Sequence, residues 1–167
     1  AASHQRPELF SVLDFVSDIA AAAALQAEYN GLQFMSEPID PDLSVNVDRQ
    51  LLGSAVTNLL NNAFKYTRPG GRVILRARPM DGRVAIEVED ECGGLPQGQN
   101  DVFTPFGERR AKNRTGLGLG LSIARRAVRA QGGDIEVRNS PGKGCTFVIE
   151  VPAATADVAI AAVDPAS

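Results

Sequence analysis

The chain has 167 residues, 44% of them hydrophobic and 22% charged, with a net charge of −3. That balance fits one globular domain able to bury its own core rather than a disordered or membrane chain, and offers no broad basic footprint for nucleic acid. No apolar run approaches bilayer length, and the start shows no basic segment leading into an apolar one. Two cysteines without a CxxC spacing and a single histidine, His4, leave neither a zinc site nor a disulfide framework in prospect, so a reducing, cytoplasmic setting is expected.

Residues 1–8 read as a linker or cloning remnant, 9–152 as one folded domain, and 153–167 as a disordered tail. Leu9 to Val12 suggest a short strand, after which Asp14 is placed to cap a helix to about Tyr29 with Val16, Ile19, Ala20, Ala23 and Ala27 as its apolar stripe. Leu32 to Met35 and Leu43 to Val47 are short strand candidates. Asp48 then caps a second helix to about Tyr66, whose apolar positions Leu51, Leu52, Ala55, Val56, Leu59, Leu60 and Ala63 leave Asn58, Asn62 and Lys65 together on another strip. Arg72 to Arg78 and Arg83 to Glu89 alternate apolar and polar around Met80-Asp81-Gly82, which predicts a half-buried hairpin. Leu95 to Thr115 has no sustained period, and loops of that length are usually functional or disordered. A third helix is expected from about Leu119 to Gln131, with Leu121, Ile123, Ala124, Ala127 and Val128 apolar, followed by a final hairpin of Ile135 to Arg138 and Cys145 to Val151. Helices and strands mix without strict alternation, which favours an α/β two-layer sandwich: a mixed sheet covered on one face by three helices.

Three glycines alternate in Gly116-Leu117-Gly118-Leu119-Gly120 and run straight into the third helix. Without a Cβ in the way, backbone N–H groups approach an oxyanion closely, and a helix amino end favours negative charge, so the run reads as a phosphate cradle. Upstream stand the Asn-rich helix Asn58-Leu-Leu-Asn-Asn62-Ala-Phe-Lys65-Tyr66-Thr67 and the acidic turn Asp90-Glu-Cys-Gly-Gly94. Phe103-Thr-Pro-Phe106 precedes the glycine run and Gly142-Lys-Gly144-Cys-Thr-Phe147 follows it.

In that order, from about Phe10 to Pro152, these boxes resemble the ATP-binding catalytic domain of bacterial sensor histidine kinases, a branch of the superfamily that also holds gyrase and the heat-shock chaperone ATPases and is built on the Bergerat fold. The resemblance implies Asn62 as principal Mg²⁺ ligand with Asn58 in support. Both residues face one side of a helix, and their amide oxygens suit a hard cation. It implies Lys65 and Tyr66 beside the phosphates, Asp90 as acceptor for the adenine amino group with Gly94 near the base, and Gly116, Leu117, Gly118, Leu119 and Gly120 as the phosphate cradle, with Thr146 and Phe106 completing the ATP site. Asn58, Lys65 and Arg114 carry the catalytic roles. The stretch from Leu95 to Thr115 corresponds to the family's lid, in which Arg109, Arg110, Lys112 and Arg114 can reach phosphates. Cys92 stands where the family's acidic turn usually has its first glycine.

The gyrase and chaperone branch places a glutamate, the general base for water, at the position that Asn58 occupies here. Without it, transfer to a protein acceptor fits better than hydrolysis. The resembled kinases phosphorylate a histidine in a His-Glu or His-Asp motif, and His4, followed by Gln5-Arg6-Pro7, lacks that context. The acceptor is therefore expected on a separate dimerisation domain upstream, with a response regulator as the next partner, ATP and Mg²⁺ as ligands, no nucleic acid, and an isolated domain that is monomeric. The alternatives are a serine kinase of the anti-sigma-factor type and a non-catalytic nucleotide-binding module of the same fold.

Overall fold

The structure, a computed structural model, describes residues 5–91, 117–140 and 144–154. Strand β1 (Pro7–Ser11) leads into helix α1 (Val12–Tyr29), then β2 (Gln33–Ser36), β3 (Ser44–Asp48), α2 (Arg49–Tyr66), β4 (Arg72–Met80), β5 (Arg83–Asp90), α3 (Leu117–Arg129), β6 (Asp134–Ser140) and β7 (Gly144–Pro152). The main sheet has the order β2-β4-β5-β7-β6 and is antiparallel except for the β2–β4 pair. With three helices laid against it, this is the α/β sandwich that the pattern of elements predicts.

Local chemistry sets the element ends. The cap of α1 is Ser11, whose hydroxyl accepts from the Asp14 N–H at 3.2 Å. Asp14, expected as the cap, lies instead in the first turn, where its charge favours the helix dipole. The cap of α2 is Asp48 as expected, with Oδ1 accepting from the Leu51 N–H at 3.1 Å. The β4–β5 turn places Asp81 at φ 51° and Gly82 at φ 78°, the left-handed pair that matches a tight turn to strand twist. Helix α3 begins at Leu117, earlier than expected, so Gly118 and Gly120 are helical.

Two stretches expected outside the fold are tied into it. Pro7 and Glu8 pair with Asp48 and Val47 in a separate two-stranded sheet, β1–β3. At the far end, Ala153 bridges to Val45 and the Ala154 N–H donates to the Ser44 carbonyl at 2.8 Å. Periodicity misses these pairings because two or three residues are too few to show a period.

Between the layers lie Val12, Phe15 and Val16 of α1, Leu52, Val56, Leu59 and Leu60 of α2, and Leu121, Ala124 and Val128 of α3, over Val73, Leu75, Val84, Ile86, Val88, Ile149 and Val151 of the sheet. Ile123, expected on the apolar side of α3, is 58% exposed. Strand β5 is buried on both faces rather than one: Ala85 and Glu87 on its outer side are buried too. Glu87 is reached by Arg76 at 3.2 Å, by Arg78 at 2.7 Å in close ionic contact without hydrogen-bond alignment, and by Arg138 at 3.9 Å. These cross-strand pairs offset the cost of taking the Glu87 carboxylate out of water.

Two carboxylates respond to pH in opposite senses. Burial raises the Asp134 pKa, but hydrogen bonds from Arg125 and Arg129 outweigh it and hold the carboxyl well below the usual range. Glu136 is pushed up, chiefly by its hydrogen bond with Glu150 and then by burial. The stability that Asp134 contributes is therefore present above the ordinary Asp range and lost as pH falls through its lowered value, whereas that of protonated Glu136 is present below the ordinary Glu range and lost as pH rises through its raised value. Thermal unfolding should show Glu136→Gln gaining stability over the parent at pH 7.5 and not at pH 4. Asp134→Asn should lose stability at pH 7.5, with the difference narrowing towards pH 2; equal offsets at both pH values would contradict these assignments.

Candidate nucleotide site

Helix α2 brings the first part of the site together. Its apolar side is sunk into the core against β5, which turns Asn58 and Asn62 away from the sheet, half-buried. The Asn62 Nδ2 donates to the Asn58 Oδ1 at 3.3 Å, which leaves Oδ1 of Asn62 uncommitted to that pair. The arrangement ranks the two amides: Asn62 offers the more available oxygen, and Asn58 orients it. One turn further on, Lys65 is exposed and its ammonium lies 5.4 Å from the centre of the Tyr66 ring. Tyr66 itself packs partly against the core.

Helix α3 supplies the second part. A Cβ on Gly120 would stand 3.3 Å from both the Nδ2 and the Oδ1 of Asn58, so the third glycine of the run packs directly on the asparagine strip. Glycine costs a helix about 1 kcal/mol relative to alanine, and this close approach is the compensating reason for it here. Leu117, Gly118 and Leu119 form the opening turn of the same helix. The free N–H groups of that turn are what an anionic ligand requires.

The sheet supplies the third part. Asp90 closes β5, is only 3% exposed, and stands between Val73 of β4 and Cys145 of β7. A buried carboxylate at the end of a central strand provides a fixed acceptor in surroundings that make a hydrogen bond count. Gly144 passes so near that a Cβ on it would lie 2.0 Å from the Asp90 carbonyl oxygen. Thr146, half-buried, pairs with Glu89 and Arg138 two positions along β7. Of the residues singled out from sequence, Asn58, Asn62 and Gly120 are thus brought together on the helices, and Asp90 and Thr146 on the neighbouring strands β5 and β7. Gly94, Phe106, Arg114 and Gly116 lie outside the described residues, as do Cys92, Phe103, Arg109, Arg110 and Lys112.

Sequence reasoning assigned no role to Thr67, which follows α2 directly. Its hydroxyl is buried without a hydrogen-bond partner among the described residues. A lone Thr after a helix carries no signal of that kind.

An asparagine strip, a helix carrying alternate glycines and a buried aspartate stand together on one α/β sandwich. Residues 47–155 match the family described as histidine kinase-, DNA gyrase B- and HSP90-like ATPase, and the chain belongs to it. It is 37% identical to the aerobic respiration control sensor protein ArcB of Escherichia coli over 83% of this chain and 19% of that protein, and 33% identical to the signal transduction histidine-protein kinase AtoS of E. coli over 89% and 24%. The chain thus spans about a fifth of the length of these relatives. Among solved structures, full-length ShkA in complex with AMPPNP aligns with a TM-score of 0.78 at 28% identity, over 93% of this chain and 33% of that one. The mycobacterial sensor histidine kinase MprB aligns at 0.74 and 27%, over 89% and 98%. The domain is a histidine-kinase-type ATP-binding catalytic domain.

Gly144→Ala should destabilise the domain by about 1–3 kcal/mol, because the added methyl group meets backbone rather than a side chain that can yield. Urea unfolding measures this, and unchanged stability would mean that β7 can move off Asp90 freely.

Proposed function

We propose that this domain binds Mg-ATP and donates the γ-phosphoryl group to a histidine on a separate dimerisation domain of a two-component sensor kinase in the cytoplasm, with a response regulator as the next acceptor. The observation that carries this reading is the joint placement of Asn58, Asn62 and Gly120, an oxygen-donor pair packed against a glycine-opened helix. Amide oxygens suit Mg²⁺, a hard cation, so Asn62 would hold the ion with Asn58 in support. When bound, the ion neutralises charge on the phosphates.

The chain's own residues do the rest. Asp90 accepts the adenine amino hydrogen and thereby selects adenine, since guanine presents an acceptor at that ring position. The amino end of α3 receives the phosphates, with Leu117, Gly118 and Leu119 approaching through their backbone and Gly116 just before them. Lys65, exposed at the end of α2, offers a cation to phosphate oxygens. The resemblance adds Tyr66, Thr146, Gly94 and Phe106 to the nucleotide site and gives Arg114 a catalytic role. Phosphoryl transfer requires position and charge stabilisation more than covalent help from the protein. With an amide at Asn58, the site has no carboxylate at the position from which the gyrase-type enzymes activate water, which supports transfer over hydrolysis. Kinship with ArcB and AtoS, named as a sensor protein and a histidine-protein kinase, supports histidine as the acceptor.

Calorimetric titration with a nonhydrolysable ATP analogue should show magnesium-dependent binding, weakened by Asn62→Ala chiefly when the metal is present. Asp90→Asn should lose about 1.5–3 kcal/mol of affinity, roughly ten- to a hundredfold, while remaining folded. No binding by the parent domain with Mg²⁺ would overturn the reading. With radiolabelled ATP, the domain alone should release little phosphate and carry no label, yet should transfer acid-labile label to a dimerisation segment containing the acceptor histidine. Acid-stable label on a serine would favour the anti-sigma-type kinase instead.

A further inference from the structure

Asp48 does more than cap α2. A cap needs one side-chain acceptor, and Oδ1 fills that role towards Leu51. The other carboxylate oxygen, Oδ2, accepts the backbone N–H of Arg6 at 2.9 Å, and the Asp48 N–H donates to Oε1 of Gln131, beyond the carboxyl end of α3. Gln131 is fixed in turn by its Nε2, which donates to the Ala127 carbonyl at 3.3 Å. Only 8% of Asp48 is exposed, and all three bonds are partly buried. Each carries more weight there than it would at the surface.

The geometry gives this node a purpose. Helices α2 and α3 run antiparallel: Asp48, at the start of α2, meets Gln131 beyond the end of α3, and Asn58, midway along α2, meets Gly120 in the first turn of α3. Measured along either helix at 1.5 Å per residue, the two contacts lie about 15 Å apart. Two contacts that far apart oppose sliding of one helix along the other. Gly120 lies where a Cβ would crowd Asn58, and the hydrogen bond at the Asp48 end ties the start of α2 to the end of α3, so it contributes to the register that the apolar packing of α3 sets.

We infer that Asp48 and Gln131 are positioning residues that fix the spacing between the asparagine strip and the glycine-opened turn, and so tune the affinity for the phosphates rather than for the adenine. The Arg6 N–H extends this to the strand through which the chain enters the fold: tension on β1 acts on Asp48, and through it on both helices of the site. The inference rests on the nucleotide site as read above.

The test compares affinities for the magnesium-bound ATP analogue and for adenosine in the parent chain, Gln131→Met, Asp48→Asn, Asp48→Ala, Arg6→Ala and Arg6→Pro, the last two separating loss of the Arg6 side chain from loss of the N–H that reaches Asp48. Ser11→Ala, which uncaps α1 without touching α2 or α3, serves as the control for lost stability. Measurements are made at a temperature where unfolding curves show every variant folded. Gln131→Met should weaken the triphosphate about five- to tenfold while leaving adenosine unchanged. Asp48→Ala should exceed Asp48→Asn, Arg6→Pro should shift the ratio in the same direction, and Ser11→Ala should leave it alone. Unchanged ratios in Gln131→Met and Asp48→Ala, or equal losses for both ligands, would overturn the positioning role while leaving the site intact. An unchanged ratio in Arg6→Pro alone would overturn the link to β1. A parent chain that binds neither ligand would instead remove the site itself, and this inference with it.

Discussion

The seating of α2 is the constraint on which the rest of this domain depends. Leu52, Ala55, Val56, Leu59, Leu60, Ala63 and Phe64 are all buried, so the helix cannot rotate about its axis without exposing several large side chains. At about 25 cal/mol per Å² of apolar surface, one such side chain contributes roughly 1.5–3 kcal/mol, and a rotation would lose several at once. That fixed rotation points Asn58 and Asn62 out of the core on the side where α3 passes. The chemistry of the site is thus a by-product of core packing: the polar strip is aimed because the apolar strip has nowhere else to go.

Close backbone approach does the remaining assembly. Gly120 lets α3 lie on Asn58, and Gly144 lets β7 pass the end of β5 where Asp90 stands. At both points a side chain would hold the elements apart, and the ligand groups with them. Among the described residues the site is consequently built on helices and strands, which suits phosphoryl transfer, where catalysis is chiefly positioning and electrostatics. The outer face of the sheet follows a different logic. There Arg76, Arg78 and Arg138 hold a buried Glu87 through ionic contacts, Arg76 pairing also with Glu37 and Glu89, and no part of the proposed chemistry uses them.

Much of this was legible in the sequence because its signals were local or periodic. The three-and-four spacing in α2 gave both its buried side and the asparagine strip, alternation gave the β4–β5 hairpin, and the order of the boxes gave the family. What escaped depended on partners far along the chain. Gln131 shows nothing in its neighbourhood to announce a bond to Asp48, 83 residues away. Short strands were expected at Leu9 to Val12 and Leu43 to Val47, but not their pairing in a separate sheet nor its extension to Pro7 and Glu8, which become strand only against β3. Ile123 fits the helical stripe of α3 by spacing, yet the helix is turned so that Leu121, Ala124 and Val128 take the core and Ile123 faces out. The burial of β5 on both faces came from its central place in the sheet order, which no property of its own eight residues encodes.

A crystal structure of the domain with a magnesium-bound, nonhydrolysable ATP analogue bears on the central claim most directly. The account predicts the metal about 2.0–2.1 Å from Oδ1 of Asn62, the adenine amino group within hydrogen-bond distance of the Asp90 carboxylate, and the phosphates at the opening turn of α3. A nucleotide bound away from Asp90, or a metal held without Asn62, would contradict it.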